Sequence, residues 1–334
     1  MKISASIYSD KKRSLEAVIA DLAAHQVELL HVDCNDDVTV FDDIKRIRSW
    51  CSLPIDLHII TDQPAKFFPL LLETPVDYLT FQFENLSEPL LIPKEITGKK
   101  GLAITTHTSV AAFDSYSSFD FILIMATIPG QSGGLFDKHN FSKIRSFRNR
   151  YPSKSIHVDG GVNAEVSFIL RNMGVSTSVS GSYLFNAPSI GQALMNLTKR
   201  DIESQFMVSD FMTPLHEVPF VRDSSCTKKS ILETVENGNL GFCLVIDELN
   251  KLIGIVSSAD IRKALLRKID NPQTITPSDF MNRKPRTLYT HYTVYEMLQY
   301  IKKCPFSVMY LPVIDENQTV HGIVNFVHLI KGEL

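Results

Sequence analysis

Residues 2–199 repeat one unit, a short apolar run followed by an amphipathic stretch, with turn-forming residues between. The apolar runs fit strands at 2–7, 28–33, 54–59, 77–82, 100–105, 119–126, 155–159 and 176–180. Helical periodicity fits 13–25, 40–50, 139–150 and 163–173, the last opened by Asn163, whose side chain suits an N-cap. Eight such strand–helix units in about 200 residues predict a (β/α)8 TIM barrel, an α/β fold whose chemistry sits at the carboxyl ends of the strands. An open doubly wound sheet is the competing fold. It usually has fewer strands and often a glycine-rich first turn, where this chain has YSDKK at 8–12.

Three of the apolar runs carry polar groups on one face. Successive side chains of a strand alternate, so His31 and Asp33 point the same way, as do Asp56 and His58, and His157 and Asp159. In one barrel, His31, Asp33, His58 and Asp159 converge at the mouth. Two imidazoles and two carboxylates suit Zn2+, Fe2+ or Mn2+ with positions left open for substrate oxygens. A single histidine of this kind is more often a core residue; four ligand-type residues at strand ends favour a site. Asp56 and His157 lie one pleat deeper and are expected to be buried support. The Asp-Gly-Gly at 159–161 is by itself an ordinary turn. Glycine-rich loops after strands six, seven and eight, IPGQSGGLF at 128–136, Gly160–Gly161 and Gly181–Ser182, stand where many barrels hold a phosphate by backbone amides.

A length of 334 residues exceeds one ordinary domain. After a helix-like stretch within 187–207 the texture changes to an internal repeat of about 70 residues. VSDFMTP at 208–214 answers PSDFMNR at 277–283, and LVIDELNKLIGIVSSAD at 244–260 answers LPVIDENQTVHGIVNFVH at 311–328. The expected organisation is a barrel over 1–199, a linker at 200–207, and a paired module over 208–334 with repeats at about 208–268 and 276–334. The formal charge of −3 gives no pull toward nucleic acid or anionic lipid, and no apolar stretch approaches a membrane span. Five dispersed cysteines without a C-x-x-C pair suggest reduced thiols, and with no signal-like N-terminus the expectation is a cytoplasmic protein.

Residues 2–186 resemble the ribulose-phosphate 3-epimerase family. The matching pieces are KISASIYS near the start, HVD at 31–33, IDLH at 55–58, MATIPG at 125–130, VDGGV at 158–162 and SGSYLF at 180–185, in the family's order. The resemblance implies one divalent metal on His31, Asp33, His58 and Asp159, with Asp33 and Asp159 also the acid and base. It implies substrate neighbours at Ser6, His58 and Met125. Ser132, Gly133, Gly160, Gly161, Gly181 and Ser182 would hold the sugar phosphate. The implied reaction interconverts D-ribulose 5-phosphate and D-xylulose 5-phosphate. A proton beside a carbonyl leaves from one face and returns to the other, which calls for two carboxylates and a cation on the enediolate oxygens. The chain departs from the family at Asn35 and Ile60, where methionines are usual, at Gln82, where histidine is usual, and in the loop GQSGG at 130–134. A related phosphorylated ketose is therefore an alternative substrate.

The second half resembles a tandem of CBS domains, an α+β module, through D-FM, PVID and GIV in its repeats. That resemblance implies an adenine nucleotide as regulator, touched by Ser257 and Asp260, with Val218–Phe220 nearby. The second repeat has Asn325 and His328 at the equivalent positions. It also implies a homo-oligomer. The competing reading is a non-catalytic regulatory protein, whose barrel senses a sugar phosphate and whose CBS pair senses nucleotide or only mediates dimerisation.

Overall fold

The computed structural model describes residues 1–127, 133–198, 205–305 and 308–326, and the chain divides into two compact units, one from Met1 ending by Arg200 and one over Asp201–Val327. The first unit is a closed barrel of eight parallel strands in sequence order. These are β1 (Lys2–Ser6), β2 (Leu29–Asn35), β3 (Ile55–Ile60), β4 (Tyr78–Gln82), β5 (Lys99–Thr105), β6 (Phe121–Met125), β7 (Ser155–Asp159) and β8 (Thr177–Ser180). β8 closes on β1, setting Thr177 beside Lys2 and Ser180 beside Ala5. Each strand falls within two residues of its expected span.

Strands buried on both faces need cover outside and filling inside, which explains their near-continuous apolar runs. All five residues of β6 are buried. The outer cover comes from α1 (Leu15–Ala24), α2 (Val40–Trp50), α3 (Phe68–Glu73), α4 (His139–Arg150), α5 (Ala164–Asn172), α6 (Ser182–Asn186) and α7 (Ile190–Thr198). Ser14 caps α1 and Asn163 caps α5, each side chain accepting a backbone N–H three residues on. Eight strand–helix units were expected, but the connections after β4 and β5 carry only 3-10 turns, at Phe83–Asn85 and Val110–Tyr116. Pro89, Pro93 and Gly98 break the first connection. In the second, buried Phe113 packs edge-on against Phe147 of α4 and against Tyr151, at 5.1 and 5.2 Å, so an aromatic cluster covers the sheet there.

Register places the functional side chains. β1 sets Ser6 beside His31, β2 sets Asp33 beside His58, and β6 sets Met125 beside Asp159.

The second unit holds two sheets. β9 (Thr213–Pro214), β10 (Phe220–Arg222), β11 (Phe242–Ile246), β12 (Leu252–Ser257), β13 (Leu288–Tyr289), β14 (Tyr310–Ile314) and β15 (Val320–Asn325) are ordered β10-β11-β12 and β13-β14-β15-β9. Its helices are α8 (Val208–Phe211), α9 (Lys228–Asn237), α10 (Ser258–Arg267), α11 (Pro277–Phe280) and α12 (Val294–Lys302). The sequence repeat is a structural repeat in detail. Each β-turn-β carries a register shift at the same place, Val245/Ile246 and Val313/Ile314. Asp247 accepts the N–H groups of Leu249 and Lys251, as Asp315 accepts those of Asn317 and Thr319, and Asn250 and Gln318 both take positive φ.

The entry segments are exchanged between repeats. β9, leading into the first repeat, pairs with β15 of the second, while Asn282, leading into the second, bridges Ile255 of β12 in the first. Gly322 and Gly254 permit these crossings: a Cβ would stand 2.1 Å from Thr213 O at one and 2.8 Å from Asn282 O at the other. Within the stretch 200–207 expected as linker, Phe206 already accepts the N–H of Val294 and Met207 bridges Thr293, so the chain is engaged in the second unit from Phe206 onward.

Candidate active site

The carboxyl ends of β2, β3 and β7 bring His31, Asp33, His58 and Asp159 together, with one ligand-type atom of each within 4.8 Å of all the others. His31 and His58 are fully buried. His31 Nε2 stands 3.3 Å from Asp33 Oδ1 and 4.0 Å from Asp159 Oδ2, and His58 Nδ1 stands 3.5 Å from Asp33 Oδ1. Among the described residues neither of these inward-facing nitrogens has a hydrogen-bond partner. A buried imidazole nitrogen left without a partner costs free energy unless a proton or a cation meets it. With two carboxylates around both, the donor set fits a divalent cation.

The supports lie one pleat below. His31 Nδ1 is 2.8 Å from Asp56 Oδ2, and Ser4 Oγ donates to the same oxygen at 2.9 Å. Asp56 is thus the support that its depth in β3 predicted. His157 is buried as expected, but its ring stacks on Phe121 at 4.1 Å and its Nδ1 has no partner, so it packs the core and bonds to none of the four. Burial pushes the His157 imidazole down to about 4, keeping it neutral.

Electrostatics set the two mouth carboxylates apart. Burial alone would raise Asp33, but His31 and His58 beside it hold it well below the usual carboxylate range. Burial pushes Asp159 up to about 6, against the pull of His31 and with the push of Asp33. For His31, burial opposes protonation but the adjacent Asp56 and Asp33 outweigh it and raise the imidazole well above its ordinary value.

Above the cluster opens a cavity of about 1160 Å3. Its walls include Ser6, Met125, Gly133, Gly160, Gly161, Gly181 and Ser182, together with Asp33 and Asp159. Ser132 lies outside the described residues. His58, fully buried, is not among the residues that line the cavity. The wall loops touch. A Cβ on Gly161, at φ +64°, would stand 2.2 Å from Phe136 N, and one on Gly181 would stand 2.1 Å from Ser9 Oγ. Glycine is required at both places because the loops after β6 and β7, and after β8 and β1, approach backbone to backbone or hydroxyl. Ser9 Oγ in turn donates to Ser6 Oγ at 3.2 Å, and Ser6 Oγ to Asp33 Oδ2 at 3.5 Å.

Sequence reasoning missed Tyr8, Lys11, Arg13, Thr127 and Asn163, all in the cavity wall. The signal was available for the first three: the loop after strand one of a barrel lies on the same face as the other strand ends. Arg13 is held by Asp10 and Asp21, both at 2.6 Å, whereas Lys11 has no ion pair among the described residues. Asn35, one of the altered positions, also lines the cavity.

In the second unit Ser257 and Asp260 are adjacent, as a reciprocal cap on α10. Asp260 Oδ2 accepts Ser257 N at 3.1 Å and Ser257 Oγ accepts Asp260 N at 3.2 Å. Val218 is buried and Phe220 half-buried. Asn325 ends β15, and His328 lies outside the described residues. Among the described residues no helix is long and apolar enough to cross a membrane.

Comparisons with known proteins agree with the two-part division. The ribulose-phosphate 3 epimerase family matches residues 2–185, and the CBS domain matches 208–267 and 278–333. The ribulose-phosphate 3-epimerase of Aquifex aeolicus is 29% identical over 177 residues, covering 49% of this chain and 80% of the relative. That of Bacillus subtilis is 25% identical over 212 residues, covering 59% of this chain and 98% of the relative. The solved CBS-pair protein CBSX2 from Arabidopsis thaliana aligns with 38% of this chain and 94% of its own length, at 22% identity and a TM-score of 0.32.

Proposed function

The chain belongs to the ribulose-phosphate 3-epimerase family through residues 2–185, and on that premise we propose that its barrel interconverts D-ribulose 5-phosphate and D-xylulose 5-phosphate by proton transfer at C3. The observation that carries this is the pair of partnerless buried nitrogens, His31 Nε2 and His58 Nδ1, facing Asp33 and Asp159 at the floor of an open cavity. A divalent cation on His31, Asp33, His58 and Asp159, whether zinc, iron(II) or manganese, would offset the charge that develops on the enediolate oxygens.

The division of labour follows from the two carboxylates. Asp33, held ionised, takes the C3 proton, and the electron pair moves onto the C2 oxygen. Asp159, on the other side of the substrate, returns one to the opposite face of C3. In the reverse direction the roles exchange. Ser6 steadies the outer oxygen of Asp33. Backbone amides around Gly133, Gly160, Gly161, Gly181 and Ser182 would hold the phosphate, with Met125 at the cavity floor. Asn35 adds a polar group where the substrate enters, so the sugar's identity is the part of the reading most open to a related phosphorylated ketose.

The CBS pair would regulate this activity by binding an adenine nucleotide at Ser257 and Asp260, a reading supported by their pairing at the junction of β12 and α10. Exposed Leu232, Leu265, Leu266 and Ile269 on or near α9 and α10 support a homo-oligomer. All five cysteines are free, in keeping with a reducing, cytoplasmic compartment.

Metal analysis of the purified protein, together with deuterium wash-in at C3 of ribulose 5-phosphate, tests the enzyme reading. Bound metal and exchange are expected; no metal and no exchange would overturn it in favour of a binding protein. A thermal-shift series with AMP, ADP and ATP tests regulation, since a ligand of the folded state raises its stability.

A further inference from the structure

A neutral imidazole carries one N–H, so only one nitrogen of His58 can present a lone pair to the site. Its outer nitrogen, Nε2, lies 2.9 Å from Oε1 of Gln82, a buried residue at the end of β4. An amide can be turned either way, and its orientation follows from the network around it. Here Glu84 decides. Its Oε2 meets the other end of the Gln82 amide, and its Oε1 accepts from Thr105 N at 2.8 Å, from Thr105 Oγ1 at 3.0 Å, and from Thr108 Oγ1. Burial would raise the Glu84 carboxyl, but these donors outweigh it and keep the group ionised. An ionised carboxylate only accepts, so the amide group facing Glu84 is the NH2. The oxygen is left for His58, and a carbonyl oxygen also only accepts. The proton on His58 must then sit on Nε2.

We propose that Gln82, oriented by Glu84, is the positioning residue that locks His58 in the Nε2–H tautomer and so turns the Nδ1 lone pair toward Asp33 and the cation site. The role rests on the metal-site reading above for its purpose, though not for its geometry. The two histidines thus reach the site through different nitrogens. His31 is held through Nδ1 by a carboxylate, Asp56, and presents Nε2; His58 is held through Nε2 by a neutral amide and presents Nδ1. A neutral partner for His58 sets the tautomer without adding a further negative charge directly against the ring.

Long-range proton–nitrogen correlation on metal-free, 15N-histidine-labelled full-length protein reads the tautomer directly. The wild type is expected to show His58 with a protonated Nε2 and an unprotonated Nδ1. A protonated Nδ1 would overturn the proposal while leaving the epimerase reading standing. Gln82→Met keeps the length and removes the acceptor. It is expected to lose the single tautomer and to bind Zn2+ about 10–100-fold more weakly in competition with a chromogenic chelator. Gln82→His is expected to restore both, because one imidazole nitrogen can donate to Glu84 while the other accepts from His58. Unchanged zinc affinity in Gln82→Met, or equal loss in the Met and His variants, would assign Gln82 to packing alone and refute its positioning role. Absence of zinc binding by the wild type with the expected tautomer intact would refute the metal reading instead.

Discussion

Replacing Asp159 by asparagine separates what this carboxyl does for stability from what it does for catalysis. In the metal-free protein burial, with Asp33 adding to it and His31 opposing, lifts Asp159 from 3.8 to about 6. Between those values the folded chain holds a proton that the unfolded chain has lost, so stability falls as pH rises through this window and stays lowered above it. A rise of about 2 pH units is worth about 3 kcal/mol. The side chain is only 19% exposed, which leaves little room for solvent to screen the effect. Asparagine has the same shape and no charge. Chelator-treated Asp159→Asn is therefore expected to be more stable than the wild type at pH 8 by up to about 3 kcal/mol, less what is lost in attraction to His31 and His58. The advantage should shrink as pH falls from about 6 to about 4 and vanish below that, where the wild-type carboxyl is neutral in both states. Trp50, the sole tryptophan, lies on α2 of the barrel, so its fluorescence during urea unfolding reports this unit alone. C3 deuterium exchange in the same variant should be abolished. A variant less stable at pH 8, or one whose gain is the same at pH 4 and pH 8, would refute the electrostatic reasoning; substantial residual exchange would refute the proton-transfer role.

Gly161→Ala forces a left-handed residue at a cost of about 1–2 kcal/mol and drives a methyl into the Phe136 backbone. It should raise KM for the sugar phosphate more than it lowers kcat, checked by steady-state kinetics beside urea unfolding. His157 is buried with its pKa lowered from 6.5 to about 4, so the wild-type barrel loses stability as pH falls through that window. His157→Leu should flatten the stability profile there, measured by unfolding at a series of pH values. Asp260→Ala removes half of the α10 cap and should cost the second unit about 1 kcal/mol, seen as a lower melting temperature, and any AMP-induced shift should disappear with it.

The barrel was legible because its periodicity switches eight times between strand and helix, and because alternation on a strand puts His31 with Asp33 and His157 with Asp159 on one face. Depth along a strand separated Asp56 from the mouth in the same way. What escaped was set by neighbours distant in sequence. That His157 stacks on Phe121 depends on the pairing of β6 with β7. That Asp33 stands beside His58 depends on the pairing of β2 with β3, which no pattern within either strand reveals. The missing helix after β4 was announced by Pro89, Pro93 and Gly98; the replacement of the one after β5 by an aromatic cluster required knowing where Phe147 and Tyr151 fall. In the second unit the repeat was plain, but periodicity cannot tell whether an entry strand pairs with its own repeat or with the other.

That reciprocal exchange of entry strands has a practical meaning for anyone who cuts this chain. A fragment ended after the first repeat, near residue 268, would keep β9 but lose β15, its hydrogen-bonding partner. It would also expose the edge of β12 where Asn282 lies. The complementary fragment would carry Asn282 without β12. The CBS module is divisible as text and indivisible as a folding unit, so excision, domain transplantation and expression trials have to take both repeats as one piece.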